Sequence, residues 1–573
     1  MRNRKRSLLV IMALGLLSLP LVAQDKPTAV PDSVSPVSTT PAATPQTNLT
    51  APSSFDQVVD RVVGRERAFN EQMRAVQPLV ETYIQTLSPD HELGLVPSGD
   101  NYFLGRLNLK NGVEDRSFLE APKGQGFLSR FTKPFPRFIP RGFAQMAILD
   151  SSFDRSKYDF AFVRREFLGE IRCLVIDVQP KKDTGNGRFI GRIWVEDQDY
   201  NIVRFNGTYG PIRRPAHYFH FDSWRLNMRP GVWLPAYIYS EESHIDMGLV
   251  HDLTFKAQSR LWGYNLGNTA RNEEFTQIVI DTPQTVHDQS EIAQDATPVE
   301  SQRMWERQAE DNAIERMEKV GLLAPVGEVD KVLQTVANNL IVTNNLTIEP
   351  EVRTRVLLTL PLESFTIGHT IVLSRGLLDV LPDEASLAMV IGHELSHIAL
   401  GHRLDTTLAF NDKMFFNDEN TMSRFDFSHS PTEEDAADKR AMELLANSPY
   451  KDKLQSSALF LKALQTRAPD LKNLIRSHLG NNLADGKETV RMAALLQSAP
   501  QLDMRKTDQI AALPLGARVK LDPWTSRIEL VKTKPVALTS AREKMPFEVT
   551  PFFPYLTRIN SPGTEKVALA PTK

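Results

Sequence analysis

A single cysteine, Cys173, stands in 573 residues, and a lone thiol closes no intramolecular disulfide. It sits in the largely apolar run Ile171 to Val178. An exported form of this chain would hold together without disulfides, which is compatible with a bacterial periplasm. No cysteine lies near residue 23, which excludes lipoprotein anchoring at that point. After residue 23 no segment reaches about 18 uninterrupted apolar residues, the length that marks a membrane-spanning helix. Charge of one sign is lacking too. There are 67 Lys and Arg against 70 Asp and Glu, a formal net charge of -3, and the basic residues are scattered rather than gathered into a stripe. That gives no footing for nucleic-acid binding. No internal repeat signals a repeat array.

What is present begins with Arg2, Arg4, Lys5 and Arg6 ahead of an apolar run from Leu8 to Ala23. Residues 1–23 read as a signal peptide cleaved near Ala23. Leu21 at the minus-three position is less usual than a small residue, so an N-terminally membrane-anchored form is the alternative. The expected location is periplasmic or secreted. Residues 24–54 are rich in Pro, Ser, Thr and Ala and read as a disordered linker,. A helical segment is expected over 55–100, with Val58, Val62, Phe69, Met73, Val76 and Leu79 on an apolar stripe running to about Leu87,. Over 101–282 short β-prone runs with aromatic residues predict a curved antiparallel sheet. Examples are Phe189 to Val195, Tyr200 to Phe205 and Gly231 to Tyr237. A charged helical connector, Thr297 to Lys319, leads on into a domain over 283–500. Residues 501–573 form a C-terminal β-prone segment and a tail from Leu556.

The pentapeptide His393-Glu394-Leu395-Ser396-His397 carries the chemistry. Pro382 and Asp383 mark a helix start, and Leu387, Val390, Ile391, Leu395 and Ile398 supply an apolar surface,. Residues four apart share a helical face, so His393 and His397 can grip one metal ion. Glu394 then projects close enough to act on a water at that metal, the arrangement of a catalytic zinc site. The plain alternative is a chance grouping on an amphipathic helix. Leu400 and Arg403 stand where a metzincin needs Gly and His,. His402 would lie about 140° round a continuing helix, which makes it a poor third ligand and a structural or capping histidine. Glu434 and Asp438, four apart, can face the same histidines, Glu434 as third ligand and Asp438 as hydrogen-bond acceptor from a ligand imidazole,. The alternative there is a solvated acidic first turn after Ser430-Pro431, and Glu433 is the fallback ligand,.

From about Val329 to Arg491 the chain resembles the gluzincin zinc metallopeptidase family that includes HtpX, BepA and the CAAX-prenyl proteases. The matching features, in order, are Phe365 to Leu373 leading into Ser374-Arg375-Gly376, then His393 to His397 with His402, then Glu434 to Asp438. The resemblance implies a zinc-dependent endopeptidase with one Zn2+ per chain held by His393, His397 and Glu434, and Glu394 as general base. It also implies that Phe365, Ile367 and Gly368 belong to a sheet-edge strand on which substrate lies as an added strand. Where the family usually has an Asn-Ala-like pair before the Phe, this chain has Glu363-Ser364. Where the family often has Thr/Ser-His-Pro followed by Arg, it has Ser477-His478-Leu479 and then Arg491. His478 could donate to the oxyanion or cover the zinc, or be a surface histidine; His369 and His429 are weaker candidates. Residues 101–282 also weakly resemble the lipoprotein-carrier-like half-barrels of the bacterial envelope, a type of sheet that can hold acyl chains or docking peptides.

The expected fold is therefore multidomain α+β, an antiparallel β-rich N-terminal domain followed by a mainly helical zincin peptidase domain with a short edge-stranded sheet. The expected function is an exported zinc metalloendopeptidase acting on unfolded or precursor polypeptides of the cell envelope, with possible membrane or lipoprotein association. The alternative is a periplasmic lipid- or lipoprotein-binding or assembly factor with a gated or structural zinc site. Whether Asp405 to Ser430 forms a lid is open at this level.

Overall fold

The computed structural model of the chain describes residues 52, 54–90, 94–108, 114–117, 140–150, 153–210, 219–245, 253–264, 297–402, 426–484, 491–498, 501, 515, 518–531 and 547–559. The expected signal peptide, nearly all of the linker and most of Asp405 to Ser430 lie outside these residues.

Helix α1 (Phe55–Ala75) begins at Ser54, whose side chain accepts from Gln57 N at 3.3 Å,. Val59, Val62, Phe69 and Met73 recur at helical spacing and are buried,. The predicted helical segment over 55–100 needs correcting beyond Ala75, because Leu79–Asp90 and Gly94–Asn108 are strands β1 and β2. Pro78 stands between, and β-branched Val80, Thr82, Ile84 and Thr86 follow at every second position,. The period of two is hard to see in the sequence because β1 is buried on both faces. Leu79 and Tyr83 enter one core, Val80 and Ile84 the other,.

The chain continues through β3 (Glu114–Ser117), α2 (Pro140–Gln145), β4 (Tyr158–Leu168), β5 (Ile171–Pro180), β6 (Arg188–Glu196), β7 (Ile202–Gly210), β8 (Phe221–Arg229), β9 (Val232–Ile245) and β10 (Leu253–Trp262). All ten strands join one antiparallel sheet in the order β3-β2-β1-β10-β9-β8-β7-β6-β5-β4. One face is rich in Phe: Phe189, Phe205, Phe221 and Phe255 share a core with α1 and with Phe143 of α2. The other presents Trp194, Trp224, Trp233, Trp262, Tyr83 and Tyr102 to the second half of the chain. Both faces are thus covered by the chain itself, and burial of that aromatic surface is the main force joining the two halves.

That second half starts with α3 (Pro298–Val320), capped by Thr297 in a capping box with Glu300 and ended at Gly321, φ 92°,. It continues with α4 (Glu328–Thr343), β11 (Arg353–Leu357), β12 (Ser364–Ile367), β13 (Thr370–Ser374), α5 (Arg375–Val380), α6 (Glu384–Leu400) and α7 (Pro431–Ala446). A 3-10 turn (Lys451–Lys453), α8 (Leu454–Arg467), α9 (Lys472–Ile475), α10 (Ala493–Ser498) and a two-stranded pair, β14 (Val519–Leu521) and β15 (Ile528–Leu530), complete it. The architecture is α+β. Among the described residues no helix is long and apolar enough to cross a membrane.

Candidate metal centre

Helix α6 is buried along almost its whole length, from Ala385 to Ile398. Asp383 caps its start, accepting from Ser386 N at 2.8 Å, and Gly401 ends it in a left-handed turn at φ 71°,. Its neighbour α7 starts at Ser430, whose side chain and backbone N–H are both bonded to Glu433. Glu433 is therefore committed to the cap, and the fallback assignment of it as a ligand does not hold. Glu434, one position on, turns inward and is buried.

Packing of α7 on α6 brings His393, His397 and Glu434 together. His393 Nε2 lies 3.3 Å from His397 Nε2 and 3.3 Å from Glu434 Oε2, and His397 Nε2 lies 3.5 Å from Glu434 Oε1. A tetrahedral ion with bonds of about 2.0–2.1 Å has ligand-to-ligand edges of about 3.3–3.4 Å. The carboxylate turns Oε2 toward His393 and Oε1 toward His397, so the two imidazoles and Glu434 converge closely enough to hold one small divalent cation. Asp438 Oδ1 is 2.9 Å from His393 Nδ1, a carboxylate placed to favour a proton on that nitrogen and leave Nε2 facing the metal position,. His402, as expected, is no third ligand in this triangle: its Nδ1 is 3.0 Å from Nδ1 of His397 and supports that ring from behind. His397, His402 and His429 also form a second set of close nitrogens, but His397 can turn only one nitrogen toward the Glu434 triangle, and that is Nε2.

The electrostatics agree. Burial opposes a charge on His393, yet Asp438 and Glu434 outweigh it and raise its pKa to about 10. Burial and the neighbouring His393 lower the pKa of His397. Burial raises Glu434, but His393 and Arg491 more than offset that and hold it below the usual carboxylate range. The pocket therefore favours one positive charge among its donors. Burial pushes the Glu394 carboxyl up to about 7, against the pull of His393 and of the Ser364 hydroxyl, which leaves it near neutrality, where a general base works best.

The predicted edge strand Phe365 to Leu373 proves to be a hairpin. β12 pairs antiparallel with β13, which pairs parallel with β11, so β12 is an edge of the sheet β11-β13-β12. Phe365 and Ile367 lie in β12, whereas Gly368 is a turn residue at φ 57°, where a Cβ would run into the Glu310 carboxylate. Glu310 also accepts from His369 N at 2.9 Å, which gives His369 a structural place at this turn. The chain's own segment 477–481 passes beside β12. Gly480 comes so near that a Cβ there would sit 2.8 Å from Phe365 Cβ.

His478 is not brought to the metal ligands. Its ring lies tilted against Tyr102 of β2, with the centroids 5.3 Å apart, and its Nε2 is 3.3 Å from Asn473 O, because Glu363 Oε1 accepts its backbone N–H and turns the side chain toward the large sheet. Asn481 lines the cavity without a signal in the sequence, together with Arg491, which the family pattern marked, and His429, a weaker candidate there. Asn481 donates to Glu434 Oε1, Arg491 Nε is 2.9 Å from Glu434 Oε2, and His429 stacks on His397 at 3.9 Å. Ser364 donates to Glu394 Oε1 at 2.7 Å. Its position beside Phe365 and the chain's departure from Asn-Ala there were the available signal.

The sequence profile described as Peptidase family M48 matches residues 330–424. No curated protein matches the chain. Among solved structures the chain is similar to a DUF1329 family protein from Desulfovibrio piger ATCC 29098, at 11% sequence identity over 36% of this chain and 92% of that one, with a TM-score of 0.17. The matched segment holds the helix that supplies His393, Glu394 and His397, and Glu434, just beyond it in sequence, lies beside them.

Proposed function

We propose that this protein is a zinc-dependent metalloendopeptidase, with one zinc ion held by His393, His397 and Glu434. The observation that carries the reading is the convergence of the three side chains, with His393 Nε2 3.3 Å from His397 Nε2 and each imidazole within 3.5 Å of a Glu434 carboxylate oxygen, and the buried Glu394 beside the histidines on the same helix. Zinc, when bound, supplies Lewis acidity that polarises the scissile carbonyl and lowers the pKa of the attacking water. The chain's own residues do the rest. Glu394 accepts the water proton and passes it to the leaving amine. Asp438 and His402 hold the two imidazoles in orientation,. β12 is an edge of its small sheet, and an extended polypeptide adding there as a strand has to displace the chain's own segment 477–481, which packs against it,. The large sheet serves as a scaffold, a role supported by the core it shares with the peptidase domain. Unfolded or precursor polypeptides of the cell envelope are the proposed substrates. That part draws on the leader-like residues 2–23 together with the extended mode of binding,.

Glu394→Gln tests the reading. The variant is expected to bind zinc as the parent does and to lose hydrolysis of an unfolded protein substrate by several orders of magnitude. Equal cleavage by a zinc-loaded variant free of contaminating protease rules the mechanism out.

A further inference from the structure

Ser364 is the first residue of β12, and its hydroxyl donates to Glu394 Oε1 at 2.7 Å. Both residues are 4% exposed. We propose that Ser364 is a positioning residue for the general base, holding the Glu394 carboxylate by one oxygen so that the other stays turned to the proton it must take. The inference rests on the metallopeptidase reading for Glu394.

The backbone around Ser364 is fixed from two sides. Within the small sheet Ser364 pairs with Leu373, and the preceding residue is tied twice to Ser374, by Ser374 N to Glu363 O at 2.9 Å and by Glu363 N to Ser374 Oγ at 3.0 Å. On the other side Gly480 packs so closely that a Cβ there would lie 3.0 Å from Ser364 O. A serine in extended backbone has only its χ1 and the hydroxyl rotation left to settle. With the strand pinned, the Oγ has a defined place, and a carboxylate accepting a buried hydroxyl donor at this distance is oriented by a charge-assisted bond. Glu394 needs such a partner. Its helix fixes only the Cα, and three rotatable bonds separate the backbone from the carboxyl oxygens. A glutamate free to rotate would spend much of its time away from the proton, and a misplacement of about 1 Å costs on the order of 100-fold in rate.

The test compares parent, Ser364→Ala, Ser364→Thr and Glu394→Gln as zinc-loaded full-length proteins on an unfolded protein substrate, with metal content measured for each. Ser364→Ala is expected to lower kcat roughly 10- to 100-fold while KM stays within about twofold and zinc content is unchanged. Ser364→Thr, which restores the hydroxyl on a residue suited to strands, is expected to recover most of the loss. A Ser364→Ala enzyme as fast as the parent, or a Thr variant no better than the Ala variant, overturns the proposal and leaves the metallopeptidase reading standing. A parent that binds zinc and cleaves no more than Glu394→Gln counts instead against that reading. A crystal structure of Ser364→Ala decides independently of any assay. A Glu394 side chain spread over two rotamers supports the positioning role, and one unmoved rotamer overturns it.

Discussion

At the scale of single residues the metal centre depends on groups that never touch a metal. Asp438 is the clearest, its Oδ1 2.9 Å from His393 Nδ1. Removal of such an outer partner typically weakens metal binding about 10- to 100-fold. Asp438→Ala is expected to do so in a competitive chelator titration, with the fold intact by circular dichroism. Two comparison variants sharpen the measurement. Glu433→Gln alters a helix cap and a 3.9 Å contact with His429, and His478→Ala removes a ring lying tilted against Tyr102; both are expected to leave zinc affinity where it was. A fall in affinity with His478→Ala as large as with Asp438→Ala would mean that the imidazole reaches the metal after all. His393, Glu394 and His397 were legible in the sequence because their relation is fixed by one turn of helix. Glu434 and Asp438 obey the same local rule on α7. The sequence leaves His478 open among oxyanion donor, zinc cover and surface histidine, because its direction is set by Glu363, 115 positions away, and by Tyr102 of the large sheet, which no local spacing encodes.

At the scale of elements, the hairpin β12–β13 and the segment 477–481 are joined through Glu363, whose buried carboxyl accepts from His478 N. Burial pushes the Glu363 carboxyl up to about 8, although the N–H groups of His478 and Leu479 pull it down. An acid whose folded pKa is raised holds its proton in the native state after the unfolded chain has lost it. Its contribution to stability is full below about 4.5 and is lost as pH rises through about 8,. Glu363→Gln keeps an oxygen acceptor and has no proton to lose. Its melting temperature is therefore expected to gain on the parent's as pH is raised from about 5 to about 9, and a difference constant over that range would show that the carboxyl ionises as in water. The helices α6 and α7 could be located from their capping residues Asp383 and Ser430. The hairpin was harder to see, because Gly368-His369 interrupts an otherwise continuous β-prone run, and β1 was read as helix because both its faces are buried. In each case tertiary burial removes the contrast on which sequence periodicity relies.

At the scale of the whole molecule, the large sheet and the second half of the chain are tied by a charge network as well as by a shared apolar core. Glu81 of β1 accepts from Tyr102 Oη at 2.9 Å, Leu360 N at 2.6 Å and Arg375 Nη2 at 2.8 Å. Arg375, fully buried at the start of α5, also donates from Nε to Leu358 O at 3.1 Å. Asp100 of β2 takes the N–H groups of Asn473 and Leu474 on α9, and Gln85 of β1 is bonded to Phe547 O and Val549 N. Groups drawn from both halves thus satisfy one another's buried charges and donors, and separating the halves would strand them in the absence of water. The two halves are accordingly expected to unfold together. Glu81→Ala removes the nearer carboxylate of the buried Arg375 guanidinium and leaves it only Asp379 Oδ2 at 3.8 Å, and breaking a buried pair in this way costs about 3–5 kcal/mol. Calorimetry should show a single transition for the parent and a single, lower one for the variant. Two transitions of which only one moves would mean that the sheet is an independent domain and that Glu81 serves it alone. Because Leu360, bonded to Glu81, lies four residues before Ser364 in the approach to β12, the variant should also lose peptidase activity at temperatures well below its melting point, which links the scaffold sheet to the edge strand beside Glu394.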